Sequence, residues 1–445
     1  MRAGVHPVAA GEPVRGVGPV ARIFANVAQL VGGKAVAGLL SLVYLAVAAR
    51  SLGAQGYGVL VLVNAYALLI GSVVAFSGFH GVVRYGALAI ERGDRQGLAA
   101  IVRFMGVVEL GFGIVAVLVA AALAPLVGPR LGWPPEAVRI AVPYSLAVLA
   151  TVRATPQGLL QLANRFDLIG VHQTINPVAR CIGVGIVWAV GGGLPAFLWV
   201  WLASSLVEGM LMWAMARVAW RRLLAGEPLG GPWRGAARDN QGFAHFITVT
   251  NFDITLRELA PQLVPLTMGW MMGPAAAGLL ALAQRATNVL QQPAALLANG
   301  SYAVLADLVA RGGGAPFRHA VWKSVAIMAV VSVAIVAALA LLGGRLLTII
   351  GGASFAGGTA LLLLVAGGRA FALATTPLGA GLTAMGLPQR SVAVALVTNI
   401  GFYPLLPLLL HLAGPDGAGW HALIQSAIAA VLLAWFFAHG TARRA

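Results

Sequence analysis

The stretch Phe243–Met268, FAHFITVTNFDITLRELAPQLVPLTM, is apolar enough to cross a bilayer, yet it carries Asp253, Arg257 and Glu258 near its middle. At about 1.5 Å per residue, Asp253 lies roughly 15 Å from Phe243, half of a hydrocarbon core about 30 Å thick. Ionised groups at that depth persist only where they face partners or a wet cavity, so they mark a functional site. Pro261 and Pro265 follow on the same helix. Each removes a backbone donor, so a bend is expected just past the charges. A polar, bent midplane helix suggests a transporter.

The rest of the chain agrees with a membrane setting. It has 445 residues, 60% hydrophobic and only 9% charged, with a mean hydropathy of +0.88; soluble domains average about 25% charged residues. Its 57 glycines suit closely packed membrane helices. The lone Cys181 excludes an intrachain disulfide. A formal charge of +16 is read as arginine gathered in cytoplasmic loops rather than as a nucleic-acid surface.

Apolar runs of about 20 residues place twelve helical spans, at 24–49, 57–79, 98–123, 137–160, 168–190, 194–216, 243–268, 274–300, 319–342, 355–377, 389–412 and 418–438. Helix is the expected form, because a lipid-exposed backbone must satisfy its own hydrogen bonds and the alternation of a barrel is absent. With both termini inside, the cytoplasmic segments collect most of the 29 Lys and Arg. The expected organisation is a cytoplasmic tail at 1–23 without the apolar core of a signal peptide, a six-helix bundle at 24–216, a cytoplasmic linker at 217–242, a second six-helix bundle at 243–438 and a tail at 439–445.

A repeat supports the division. Leu52-Gly53-Ala54-Gln55-Gly56-Tyr57-Gly58-Val59-Leu60 matches Met272-Gly273-Pro274-Ala275-Ala276-Ala277-Gly278-Leu279-Leu280, with Gly53 over Gly273 and Gly58 over Gly278. Six spans per half orient both halves alike, so the fold class is an all-α polytopic membrane protein whose two bundles are related by a pseudo-two-fold along the membrane normal.

Four bases fall inside spans, Lys34, Arg180, Arg257 and Arg285, all roughly 15 to 17 Å deep and two in each half. Facing inward they form a basic belt suited to a phosphate or pyrophosphate, which arginine grips in bidentate fashion. The competing reading pairs them with the intramembrane acids Glu109, Glu208, Asp253 and Glu258, with Asp253 and Arg257 neighbours at i and i+4. These acids are also the candidates for ion coupling. Asn64 and Gln284 read as interhelical hydrogen-bonding groups. Trp199, Trp201, Trp213 and Trp220 around the sixth span read as interface anchors. His80, His172 and His245 form no metal-spaced cluster, and no metal or cofactor is expected.

The motifs resemble a known family. Arg50-Ser51-Leu52-Gly53 with Tyr57-Gly58, Gly78-Phe79-His80-Gly81-Val82-Val83-Arg84-Tyr85, Gly158-Leu159-Leu160-Gln161-Leu162-Ala163-Asn164-Arg165-Phe166 and Gly278-Leu279-Leu280-Ala281-Leu282-Ala283-Gln284-Arg285 occur in the order and at the spacing of the polysaccharide (lipid-linked oligosaccharide) flippases of the multidrug/oligosaccharidyl-lipid/polysaccharide exporter superfamily. The resemblance runs over most of the chain from about Ala21. It implies two bundles that work by alternating access in the bacterial cytoplasmic membrane, moving undecaprenyl-diphosphate-linked glycans in a pathway shared with polysaccharide biosynthesis enzymes. Lys34, Arg180, Arg257 and Arg285 match the basic cavity of such proteins. Twelve spans rather than fourteen argue against a peptidoglycan-precursor flippase. The alternative within the superfamily is a cation-coupled multidrug antiporter, with the acids as its working groups. A membrane glycan ligase or polymerase is disfavoured, because the longest expected outer connection, 124–136, is too short to fold into a catalytic domain.

Overall fold

The computed structural model describes residues 19–290 and 314–442, with side chains from Ala37 onward except those of Arg257, Ala260, Val289, Leu290 and Ala442. Among the described residues the regular structure is helical. The first half contains α1 (Pro19–Val74), α2 (Phe79–Glu91), α3 (Arg95–Val127), α4 (Pro135–Tyr144), α5 (Ala154–Leu162), α6 (Phe166–Ala189) and α7 (Leu194–Leu223). After the short α8 (Ala236–Asp239) come α9 (Phe243–Met272), α10 (Pro274–Leu290), α11 (Gly314–Gly351), α12 (Thr359–Ala374), α13 (Thr376–Ala384), α14 (Pro388–Leu396), α15 (Leu405–Ala413) and α16 (Asp416–Ala442).

Seven described helices or helix runs are long and apolar enough to cross a membrane. The pair formed by Pro388–Gly401 and Leu405–Ala413, bent by 49°, makes an eighth. The remaining four of the twelve expected spans are the first half of α1, the charge-bearing α6 and α9, and α10, whose described part is 17 residues. The molecule is therefore a multi-pass membrane protein of two six-helix bundles. Contrary to a simple stop at 216, α7 continues to Leu223. Helix α9 is unbroken across Pro261 and Pro265, which leaves the carbonyls four residues before each proline without a helical donor.

The turns display the repeat more fully than the sequence does. Among the described residues, positive φ recurs at matched places between the spans: Gly53, Gly93, Gly132, Asn164 and Gly191 in the first half, Gly273, Gly314, Gly352, Gly386 and Gly414 in the second. The pairs recur in order about 220 residues apart. Glycine adopts this left-handed conformation without steric cost, and it occupies nine of these ten positions, with Asn164 in the tenth. The fourth span of each half also restarts at a matched Thr-Pro: Thr155-Pro156 opens α5 and Thr376-Pro377 opens α13. Proline is preorganised for a helical first turn and has no N–H to leave unpaired.

The halves meet where their repeats cross, with α1 packed on α9 and α10. A methyl group on Gly58 would lie 1.8 Å from the carbonyl oxygen of Pro274, and one on Gly278 would lie 2.7 Å from that of Ala54. The matched glycines are thus the points at which backbone touches backbone across the pseudo-two-fold. Arg50 adds a bond from its guanidinium to the Ile349 carbonyl. Gly58→Ala is expected to lower the apparent melting temperature in detergent by an amount equivalent to about 1–3 kcal/mol of overpacking. Gly111→Ala and Gly185→Ala, whose added methyls meet nothing within 4 Å, should leave it unchanged; equal melts for all three would remove the crossing's structural role.

Candidate functional site

A cavity of about 290 Å³ opens between the halves, walled by α1, α6 and α7 on one side and α9 and α10 on the other. Helix α1 contributes Tyr44 and Asn64 from either side of its Gly53 kink, and α9 contributes Gln262 between its two prolines. Arg180 enters from α6 and Arg285 from α10, so one cation comes from each bundle.

The two guanidinium groups are organised by one ring. Arg180 lies 5.7 Å from the Tyr44 ring centre and 4.8 Å from that of Trp201, and the two rings meet edge-on at 5.6 Å. Arg285 donates to the Tyr44 hydroxyl at 3.3 Å. Arg180 also donates from Nε to the Ser204 hydroxyl at 3.2 Å and from Nη2 to that of Ser205 at 3.5 Å. Neutral oxygens and aromatic faces hold the charges in place without cancelling them. Neither arginine has a carboxylate partner among the described residues, and the lining contains no Asp or Glu. Two cations without carboxylate partners thus share one polar, half-buried site, a chemistry complementary to an anion.

The acids are placed elsewhere. Glu109 is 1% exposed on α3, and its two carboxylate oxygens accept the backbone N–H groups of Ala154 at 2.7 Å and Thr155 at 2.8 Å. It caps α5 where the fourth span breaks after the 3-10 segment Ser145–Thr151. Glu208, on α7, pairs with Arg153 and accepts from Asn176 Nδ2 at 2.6 Å, while its backbone carbonyl lies 3.1 Å from His172 Nε2. Glu258 is exposed, and Asp253 is half-buried with an interaction partner. The side chains of Lys34 and Arg257 lie outside the described residues, so of the four expected bases the described cavity brings together Arg180 and Arg285.

Trp201 corrects the sequence reading. It is buried against the first bundle and stacks on Arg180 instead of anchoring at the interface. Its relation to the cavity was visible in the spacing of Trp201, Ser204 and Ser205, which share one helix face at i, i+3 and i+4. Tyr44 had no comparable signal, because a tyrosine in an apolar run reads as core. Asn64 accepts from Tyr144 at 2.9 Å, consistent with an interhelical role.

With this geometry in view, comparison with known proteins is informative. A family model described as polysaccharide biosynthesis protein matches residues 23–305. The chain belongs to that family. The inner membrane protein YghQ of Escherichia coli (strain K12) is 29% identical over 280 residues, covering 63% of this chain and 79% of that one. Among solved structures, the lipid II flippase MurJ in an inward closed conformation superposes with a TM-score of 0.69 at 12% identity, covering 92% of this chain and 88% of that one. An inward-facing multidrug resistance MATE family transporter of the MOP superfamily gives 0.68 at 16% identity, covering 96% and 98%. At these identities the likeness establishes the shared fold.

Glu109→Gln is expected to lower the apparent melting temperature, because an amide presents an N–H₂ to one of two backbone donors and leaves a buried donor unsatisfied at a cost of about 1–3 kcal/mol. Thermal unfolding in detergent reads this directly. An unchanged melt would show that the carboxylate does not hold the start of α5.

Proposed function

We propose that this protein is a carrier rather than an enzyme, a flippase that moves polyprenyl-diphosphate-linked oligosaccharide across the bacterial inner membrane by alternating access, for export of a surface polysaccharide. The observation that carries the reading is the pairing of Arg180 and Arg285, one from each bundle, over a central cavity whose described lining has no carboxylate. Family membership supports the polysaccharide context. In this scheme the diphosphate sits between the guanidinium groups, the glycan occupies the wet space between bundles, and the polyprenyl tail remains in lipid. The bundles, 24–216 and 243–438, rock about the glycine crossing, and Lys34 and Arg257 extend the basic belt at the same depth. Both termini lie in the cytoplasm, where polysaccharide biosynthesis enzymes load the substrate. Directed transport requires an input that favours one state over the other, and Asp253, Glu258, Glu109 and Glu208 are the candidates to receive it.

The second reading, a cation-coupled multidrug antiporter, draws on the likeness to a MATE family transporter. A charge series separates the two. For the flippase, Arg180→Glu and Arg285→Glu each reduce translocation of lipid-linked oligosaccharide in proteoliposomes about 10- to 100-fold or more, the loss of a charge-assisted contact and its replacement by repulsion. Drug efflux that survives these reversals but disappears on neutralising Asp253 or Glu208 would establish the antiporter instead. Flipping at the unaltered rate in both reversed variants would end the diphosphate assignment.

A further inference from the structure

A second and larger cavity, about 1000 Å³, lies between the first bundle and the linker that follows it and shares no lining residue with the central one. It is a groove between α3 and α7. Val107 and Leu110 form one wall, Met210 and Trp213 the other, and Leu149 and Val152 of the broken fourth span make the floor. The groove is kept open by that break: the 3-10 segment ends at Thr151, and the Trp213 indole donates to the freed Val152 carbonyl at 2.8 Å. Val107, Leu110 and Met210 are 47%, 48% and 63% exposed, so the groove opens sideways toward the bilayer.

One end is closed and basic. The segment following α7 folds back over α3, where Arg103 donates to the carbonyls of Pro228, Leu229 and Pro232 and lies 3.7 Å from Glu227. Arg103 is thereby committed to holding the end wall, with Gly231 against its guanidinium. Arg217 sits at the same end, lines the groove and is exposed, with no hydrogen bond or ion pair among the described residues. Arg221 and Arg222 follow one turn further along. From Arg217 to Leu206 the groove follows α7 for roughly 16 Å, which is one leaflet of a hydrocarbon core about 30 Å thick.

We propose that this groove binds an anionic phospholipid of the bilayer, with its acyl chains between α3 and α7 and its phosphate at Arg217. The depth of a single leaflet selects a glycerophospholipid over a long polyprenyl chain, and the unpartnered guanidinium at the closed end selects negative charge in the head group. The site stands apart from the transport cavity, and its test does not depend on the transported substrate. The intact protein, extracted in mild detergent and exposed to an equimolar mixture of phosphatidylglycerol and phosphatidylethanolamine with matched chains, is examined by native mass spectrometry. The expected result is retention of phosphatidylglycerol with about fivefold preference, the effect of one interfacial arginine. Arg217→Ala should abolish the preference while some lipid is still retained. Gly106→Leu, whose β-carbon meets only the edge of Trp213 at 3.5 Å, should fill the groove and reduce retention of both lipids without altering the melt. Equal retention of the two lipids by the native protein, a preference that survives Arg217→Ala, or undiminished retention by Gly106→Leu would each overturn the assignment. Displacement of phosphatidylglycerol by equimolar undecaprenyl phosphate would also overturn it and give the groove to the polyprenyl chain.

Discussion

The contact on which this architecture rests is the approach of α1 to α10 without intervening side chains. Helices in lipid gain little from burying apolar surface against one another, because the acyl chains they displace are as apolar as leucine; dispersion and close fit must supply the attraction. Gly58 and Gly278 allow the Pro274 and Ala54 carbonyl oxygens into space that any β-carbon would occupy. Around this point the larger side chains of the joint, Tyr57 and Leu280, are sealed from solvent. Because the two contacts are related by the repeat, each half presents to the other the surface that it receives.

That crossing also determines where the cavity lies. On α1 it falls between Tyr44 and Asn64, and on α10 it precedes Gln284 and Arg285. The helices pack tightly at the joint and leave space beside it, so a polar chamber forms adjacent to a backbone-to-backbone contact. The first bundle then accommodates its own acids without using the chamber. Glu109 serves as a helix cap and Glu208 neutralises Arg153. Equal numbers of intramembrane acids and bases in the sequence therefore coexist with a cavity whose described charges are both positive.

Much of this was legible in the chain, for identifiable reasons. Long apolar runs located the spans because the bilayer demands them, and the Leu52–Leu60 and Met272–Leu280 repeat located the symmetry because left-handed turns and backbone crossings demand glycine. Helical rise alone put Arg180 and Arg285 at one expected level, and the structure brings both to one cavity. Facing direction was harder: depth along a helix says nothing about rotation around it, which depends on neighbours distant in sequence. This is why Trp201 resembles an interface residue in the sequence and why Tyr44, the organising ring, resembles core. The groove between α3 and α7 was invisible for a related reason, since it exists only because the fourth span loses its regular helix at Ser145–Thr151 and draws the floor away from its neighbours.

Tyr44 has one more implication. Its face serves a cation fixed to its own bundle and its hydroxyl serves a cation belonging to the other. Any displacement of α10 away from α1 must therefore strip Arg285 from the phenol while leaving Arg180 seated on the ring. On the proposed flippase reading, the ring would hold two guanidinium groups or one according to the separation of the bundles, so its hold on a diphosphate would report how far apart they stand.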